Sequence, residues 1–118
     1  MAANGFEAAL EDRNEIELTT TGRVSGNQSS RTVWFVERDG NVYLVPVTGA
    51  DSQWYKNVVK TPALQLSADG AQYSATATPV TDPGMVAQVV DDFRAKYGAQ
   101  YVADYYPNPN VAVEVPLG

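Results

Sequence analysis

Two Asp-Gly pairs constrain the fold of this chain more than any other feature. Asp39-Gly40 separates residues 31–37 (RTVWFVE) from 41–47 (NVYLVPV), and Asp69-Gly70 separates 63–67 from 71–79. A two-residue hairpin turn needs positive φ at both central positions, which Asp-Gly tolerates, and the flanking runs carry β-branched and aromatic residues that suit a pleated surface. Two antiparallel hairpins follow. Between them, Asp51-Ser52 offers an N-cap for a short helix over 53–59, which Thr61-Pro62 stops because a residue before proline avoids the α region.

The rest of the chain completes a mainly β pattern. Residues 15–20 alternate polar and apolar side chains, then 21–30 (TGRVSGNQSS) break into a loop. Asp82-Pro83 pairs an N-cap with proline at the first helical position, and Met85, Val86, Val89, Val90, Phe93 and Tyr97 form one apolar stripe ending at Gly98. Residues 99–106 add a further turn or two, and 111–115 (VAVEV) alternate as a closing strand. At the amino end, 6–14 read as a short amphipathic helix or a flexible segment. About six strands joined mostly by short connections predict a small antiparallel β-barrel with helices on its outside, with an open α+β sandwich as the alternative.

Composition narrows the function. At 118 residues one domain, 1–118, is expected, and 44% hydrophobic against 19% charged residues suits a globular core. Eight Lys plus Arg against fourteen Asp plus Glu leave a net charge of -6, which opposes dominant contacts with nucleic acid or an anionic membrane surface. Residues 18–68 nevertheless carry five cations and three acids, +2, while the remainder carries three cations and eleven acids, -8. An acidic chain therefore keeps a mildly basic middle. There is no Cys and no His, which excludes a Cys nucleophile, a Ser-His-Asp triad, an imidazole or thiolate metal site and a disulfide framework. The scattered carboxylates form no metal-binding loop. Without a basic leader or a run of roughly 18 apolar residues, a cytoplasmic location is expected and no membrane span.

Three segments could carry chemistry. Thr21-Gly22-Arg23-Val24-Ser25-Gly26 combines a hydroxyl, backbone N–H groups freed by glycine and a guanidinium. Such a set can cradle a phosphate, although an ordinary Gly/Ser loop reads the same way. Trp54-Tyr55-Lys56-Asn57 places aromatic faces beside a cation and an amide, so Trp54 either stacks on a planar ring or plugs the barrel end. Trp34 and Phe35 alternate, so one faces the core and the other an interface or pocket. Tyr101, Tyr105 and Tyr106 supply phenols that no apolar stripe demands.

These segments together resemble the deazaflavin-dependent nitroreductases, which belong to the split β-barrel flavin and deazaflavin oxidoreductases. The likeness runs through Thr19–Gly26 (TTTGRVSG), 32–36 (TVWFV), 54–57 (WYKN), 77–82 (ATPVTD) and 101–105 (YVADY). It implies a six-stranded antiparallel split β-barrel and a homodimer. The implied cofactor is deazaflavin coenzyme (F420) or, alternatively, FMN, and the implied reaction is hydride transfer to a quinone, nitro compound or other small electrophile. Position by position, it implies that Thr21, Gly22, Arg23, Ser25 and Gly26 hold cofactor phosphate. It places Val47 and Gly49 near the ring, has Trp54 and Asn57 close over the cofactor, and makes Tyr101 and Tyr105 proton or hydrogen-bond donors on the substrate side. Three positions that are usually basic in the family are Val24, Ser29 and Thr48 here, and Arg31 is displaced. Each exposed cation lost removes about 0.2–1 kcal/mol, so a non-catalytic split barrel that binds a small ligand is the competing expectation.

Overall fold

The computed structural model describes residues 10, 13–68, 70–106 and 109–117. Its elements are β1 (Ile16–Thr21), β2 (Gln28–Val33), β3 (Val36–Arg38), β4 (Asn41–Leu44), a 3-10 turn (Gly49–Asp51) and α1 (Gln53–Lys60). There follow β5 (Ala63–Ala68), β6 (Ala71–Thr76), β7 (Thr78–Val80), α2 (Pro83–Tyr97), α3 (Ala99–Tyr105) and β8 (Ala112–Pro116). The strands form two four-stranded sheets in the orders β2-β1-β5-β6 and β3-β4-β8-β7, with every pair antiparallel.

Six expected strands thus become eight, because two of them bend from one sheet into the other. The run 31–37 breaks at Trp34-Phe35 into β2 and β3, and the run 71–79 breaks at Ala77 into β6 and β7. Strands that switch sheets turn a corner and lose ladder bonds at the bend. If each bent strand is followed through its corner, the pairing order becomes a six-stranded ring whose hydrogen-bond ladder lapses at two places. This is the split-barrel arrangement of the mainly β class. The backbone groups freed at the corners find other partners: Ala77 N donates to Pro62 O at 2.9 Å, and Phe35 is met by side chains of α2.

Burial explains why the central runs look continuously apolar. On β4, Val42 and Leu44 face the barrel interior with Ile16, Leu18, Phe35, Leu64, Leu66, Val113 and Val115. Tyr43 and Val45 face the other way, against Val86, Val89, Val90 and Phe93 of α2 and Val102 of α3. The second sheet is therefore covered on both sides and loses the simple inside-outside alternation. Helix α1 closes the barrel with Trp54 and Val58 in the interior cluster.

Local signals set the element ends. Asp39 (φ 53°) and Gly40 (φ 79°) adopt the left-handed turn that joins β3 to β4, and Gly70 (φ 83°) has the same hand between β5 and β6, with Asp69 outside the described residues. Asp82 Oδ2 accepts from Met85 N at 3.0 Å and caps α2. Ser52 stands at the N-cap of α1 but makes no side-chain capping bond. Most of the helix expected over 6–14 lies outside the described residues, although Leu10 is buried in the barrel cluster.

Candidate cleft at the split of the barrel

Where β2 approaches its corner and the chain continues past β4, the two sheets part and open a cavity of about 450 Å³. One side is β2, with Arg31, Val33 and Trp34. The other is Val45, Val47 and Thr48; the floor is the start of α1, with Gln53 and Trp54, and α3 and the residue after it add Tyr105 and Tyr106. Small-molecule sites fall in this size range, and this lining mixes aromatic and aliphatic residues with polar ones, Arg31, Thr48, Asp51 and Ser52 among them.

The walls are a cluster of rings. Trp34 stacks on Tyr97 at a centroid distance of 4.2 Å and 11°, and lies 4.6 Å from Tyr105 and 5.9 Å from Tyr106. Phe93 packs edge-on against Tyr106 at 5.5 Å. The expected division between Trp34 and Phe35 holds: Phe35 fills the barrel at 1% exposure and Trp34 faces the cleft. Trp54 plugs the barrel end, being 4% exposed in the interior cluster, and it also lines the cleft.

Several polar groups lining the cleft are uncommitted among the described residues, Asp51 and Ser52 included, and two of them, Arg31 and Tyr106, are the donors of most interest. Arg31 has no hydrogen-bond or ion-pair partner among the described residues. Its cross-strand partner on β1 is Leu18, an interior residue, so Arg31 shares the inward face of the sheet but stands at its open edge. Tyr106 is buried, and its hydroxyl likewise makes no hydrogen bond among the described residues; no side-chain polar atom there is sealed from solvent without a partner, so the hydroxyl reaches open space. Burial raises its phenol far above the ordinary value, with Tyr105 and Tyr97 adding to the shift. At any ordinary pH it is a neutral donor. Asp51 supplies a lone carboxylate at the rim.

The β1–β2 loop stands apart from this cleft. Arg23 Nη2 donates to Gln53 Oε1 at 2.7 Å, Nη1 donates to Asn57 Oδ1 at 2.8 Å, and Arg23 N donates to the same oxygen at 3.2 Å. Lys60 Nζ donates to Arg23 O at 2.9 Å. Within the loop, Gly22 N donates to Asn27 O, Gly26 N to Gly22 O, and Asn27 N to Ser25 Oγ. A Cβ on Gly22 would meet Ser25 Oγ at 2.9 Å and Asn27 O at 3.2 Å, so a larger residue here would have to turn Ser25 away and push Asn27 back by a few tenths of an ångström. The N–H groups and guanidinium that a phosphate cradle needs are thus turned inward onto the loop and α1. Val24, at 93% exposure, forms the tip.

The residues singled out in the sequence therefore fall into separate places. Val47, Trp54 and Tyr105 meet in the cleft. Gly22, Arg23, Ser25, Gly26 and Asn57 form the loop-to-helix clamp, which meets the cleft lining at Gln53, the acceptor for Arg23. Gly49 is buried in the 3-10 turn beneath it. Thr21 lines a cavity of about 480 Å³ on the outer face of the first sheet, and Tyr101, 68% exposed, lines another of about 390 Å³ with Lys96, Tyr97 and the far side of Trp34. Arg31 was passed over in the sequence as a displaced cation; its pairing with an interior residue of β1 is the signal that places it in the cleft.

Known proteins share this architecture. The sequence model of a family described as "Uncharacterized protein conserved in bacteria (DUF2255)" matches residues 8–114. No curated protein matches the chain. A conserved hypothetical protein from Mycobacterium tuberculosis is 20% identical, with a TM-score of 0.76 over 99% of this chain and 81% of that one. An F420-H2 dependent reductase is 21% identical, with a TM-score of 0.66 over 87% of this chain and 94% of that one. A domain-swapped dimer is 22% identical, with a TM-score of 0.67 over 88% of this chain and 81% of that one. At these identities the likeness shows a common fold, and the resemblance read from the sequence is borne out at that level.

Proposed function

The chain belongs to the bacterial family DUF2255, and from that premise we propose that it is a flavin- or deazaflavin-dependent oxidoreductase whose cofactor ring lies in the cleft beside Trp34. The observation that carries this reading is an aromatic cleft whose lining includes an uncommitted cation, Arg31, and the uncommitted hydroxyl of the buried Tyr106. That donor set fits a flat ring bearing a single anionic group. The fold shared with an F420-H2 dependent reductase supports it.

When bound, such a cofactor supplies the hydride, and the protein supplies position and exclusion of water. Trp34 and Tyr105 offer ring faces, Trp54 closes the floor, and Val47 keeps one wall apolar. Arg31 holds the anionic group by charge-assisted hydrogen bonds. Tyr106 donates a hydrogen bond to the acceptor oxygen of a small quinone, nitro or related electrophile as negative charge grows there. Tyr101, in a separate cavity, takes no part. A single free guanidinium in the cleft matches FMN with its one phosphate, while deazaflavin coenzyme needs further cations, which the loop provides only if Arg23 leaves Gln53 and Asn57. The domain-swapped fold relative supports a homodimer.

The alternative is a binding protein that carries a small aromatic anion without turning it over, favoured by the inward-turned donors of the loop. Titration of the purified protein with deazaflavin coenzyme and with FMN, followed by cofactor fluorescence, separates the readings. Saturable binding of about -8 kcal/mol, a micromolar Kd, that Arg31→Ala weakens supports the enzyme. No binding of either cofactor at about a hundredfold higher concentration overturns it.

A further inference from the structure

The corner at Phe35 is held in an unusual way. Phe35 lies between β2 and β3, outside both hydrogen-bond ladders, yet its N–H and C=O are satisfied by two consecutive side chains at the end of α2. Tyr97 Oη accepts from Phe35 N at 3.0 Å and lies 2.8 Å from both Phe35 O and Asn14 O. One hydroxyl proton serves only one of those carbonyls at a time. Lys96 Nζ donates to Phe35 O at 2.9 Å and so keeps that carbonyl satisfied in either case. The same ammonium sits 3.4 Å from the centre of the Phe35 ring, and the Tyr97 ring stacks on Trp34.

We propose that Lys96 and Tyr97 are positioning residues, which hold the Phe35 peptide and thereby set where the Trp34 ring stands in the cleft. Neighbouring side chains on an extended backbone point to opposite faces, so fixing this peptide fixes Phe35 in the barrel and Trp34 in the cleft together. Trp34 also separates the cleft from the cavity lined by Lys96, Tyr97 and Tyr101, so a rotation of its ring would change the size of both. The charged group that acts on the ammonium is Glu37 of β3, and the titratable groups that line the same cavity as Lys96 are Glu15 ahead of β1, Tyr97, whose ring centre is 5.1 Å from Nζ, and Tyr101. Although Lys96 is exposed as a residue, its ammonium end folds back over Phe35. Burial there lowers the amine to about 8 against the pull of Glu37. Loss of the proton removes the cation from the ring face and weakens the bond to Phe35 O, which gives the clamp a readable signature.

The test uses the full chain with Trp54→Phe, which leaves Trp34 as the sole tryptophan. In this parent, Trp34 emission should change with an inflection near pH about 8. Lys96→Met should abolish the inflection, and Lys96→Arg should hold the low-pH emission through pH about 10, because guanidinium does not titrate there. Tyr97→Phe keeps the ring stack and removes the hydroxyl; the Phe35 amide should then exchange faster by about two- to tenfold, the worth of one net hydrogen bond. Unchanged emission and Phe35 exchange in both Lys96→Met and Tyr97→Phe overturn the proposal. A parallel FMN titration of the natural sequence and its Tyr97→Phe variant, expected to weaken about two- to tenfold, tests the link to the cleft. That link rests on the proposed function; if the natural sequence binds no FMN, that function fails with this cofactor, while emission and exchange still decide the clamp.

Discussion

Replacing Asn57 with alanine distinguishes a structural loop from a phosphate cradle. Asn57 is 9% exposed, and its Oδ1 is the shared acceptor for Arg23 N and Arg23 Nη1. The substitution deletes one neutral and one charge-assisted hydrogen bond. Net values of about 0.5–1.5 kcal/mol for the first and about 1.5–3 kcal/mol for the second set the upper range. Arg23 is partly open to water, which replaces some of the loss, so about 2 kcal/mol is expected. For a chain of this size that corresponds to a fall in Tm of about 8 °C. Urea unfolding followed by circular dichroism measures it, and a double-mutant cycle with Arg23→Ala should give a coupling of about 1 kcal/mol or more, since the two residues share the contact. If Asn57→Ala costs under about 0.5 kcal/mol but abolishes cofactor binding, the inward-turned loop is not the resting arrangement and Arg23 serves a ligand after all.

Phe93, 1% exposed between α2 and the second sheet, should cost about 3–5 kcal/mol on truncation to alanine, read from the denaturant midpoint. Asp82→Ala removes the cap on Met85 N and should cost about 1 kcal/mol, whereas Asp82→Ser should restore most of it. Stability should also vary in alkali. Lys96 titrates at about 8 in the folded chain against an ordinary 10.5, so the unfolded chain binds more protons in that window and stability rises with pH from about 8. Tyr97, raised from 10.0 to about 12, and Tyr106, raised further, act in the opposite sense. The folded chain keeps their protons longer, so stability falls above about pH 10. Chemical denaturation at a series of pH values should show that maximum, and Lys96→Met should lose its rising limb alone.

What was legible in the sequence was local, and what was hidden depended on distant partners. The Asp-Gly turn at 39–40, the Asp82 cap and the Gly98 stop are each decided by a few neighbouring residues, and each stands where it was expected. The corners at Trp34-Phe35 and Ala77 could not be placed from their own residues. A β-branched run looks the same whether it stays in one sheet or passes to another, and the break is set by strands paired on either side. The site divides along the same line. Val47 was implied by the family resemblance alone, whereas Trp54 also stood out as an aromatic side chain that could stack on a ring and Tyr105 as one that no apolar stripe demanded. Arg31 was missed because its place depends on the register opposite Leu18.

The loop is the sharpest case of the same ambiguity. Glycines and hydroxyls that suit an anion also suit a turn that satisfies itself. What decides between the two lies 34 residues along the chain, at Asn57. Arg23 in a cradle and Arg23 in a clamp have identical local sequence, and only the acceptor on α1 separates them. The unpaired cation that lines the cleft once the clamp is formed is the informative one. Among the described residues Arg38 pairs with Asp92, Arg94 with Asp91, and Lys60 and Lys96 with carbonyls, while Arg31 and Lys56 have no partner, and of these two Arg31 is the one that lines the cleft. In an acidic protein an unpaired guanidinium beside aromatic walls is the feature that a ligand explains best, so Arg31→Ala, rather than Arg23→Ala, should cost the larger share of cofactor affinity. A hydrogen bond to a charged partner is worth about 1.5–3 kcal/mol, or about ten- to a hundredfold in Kd. A larger loss from Arg23→Ala in the same titration would return the anion to the loop and remove the main support for the cleft.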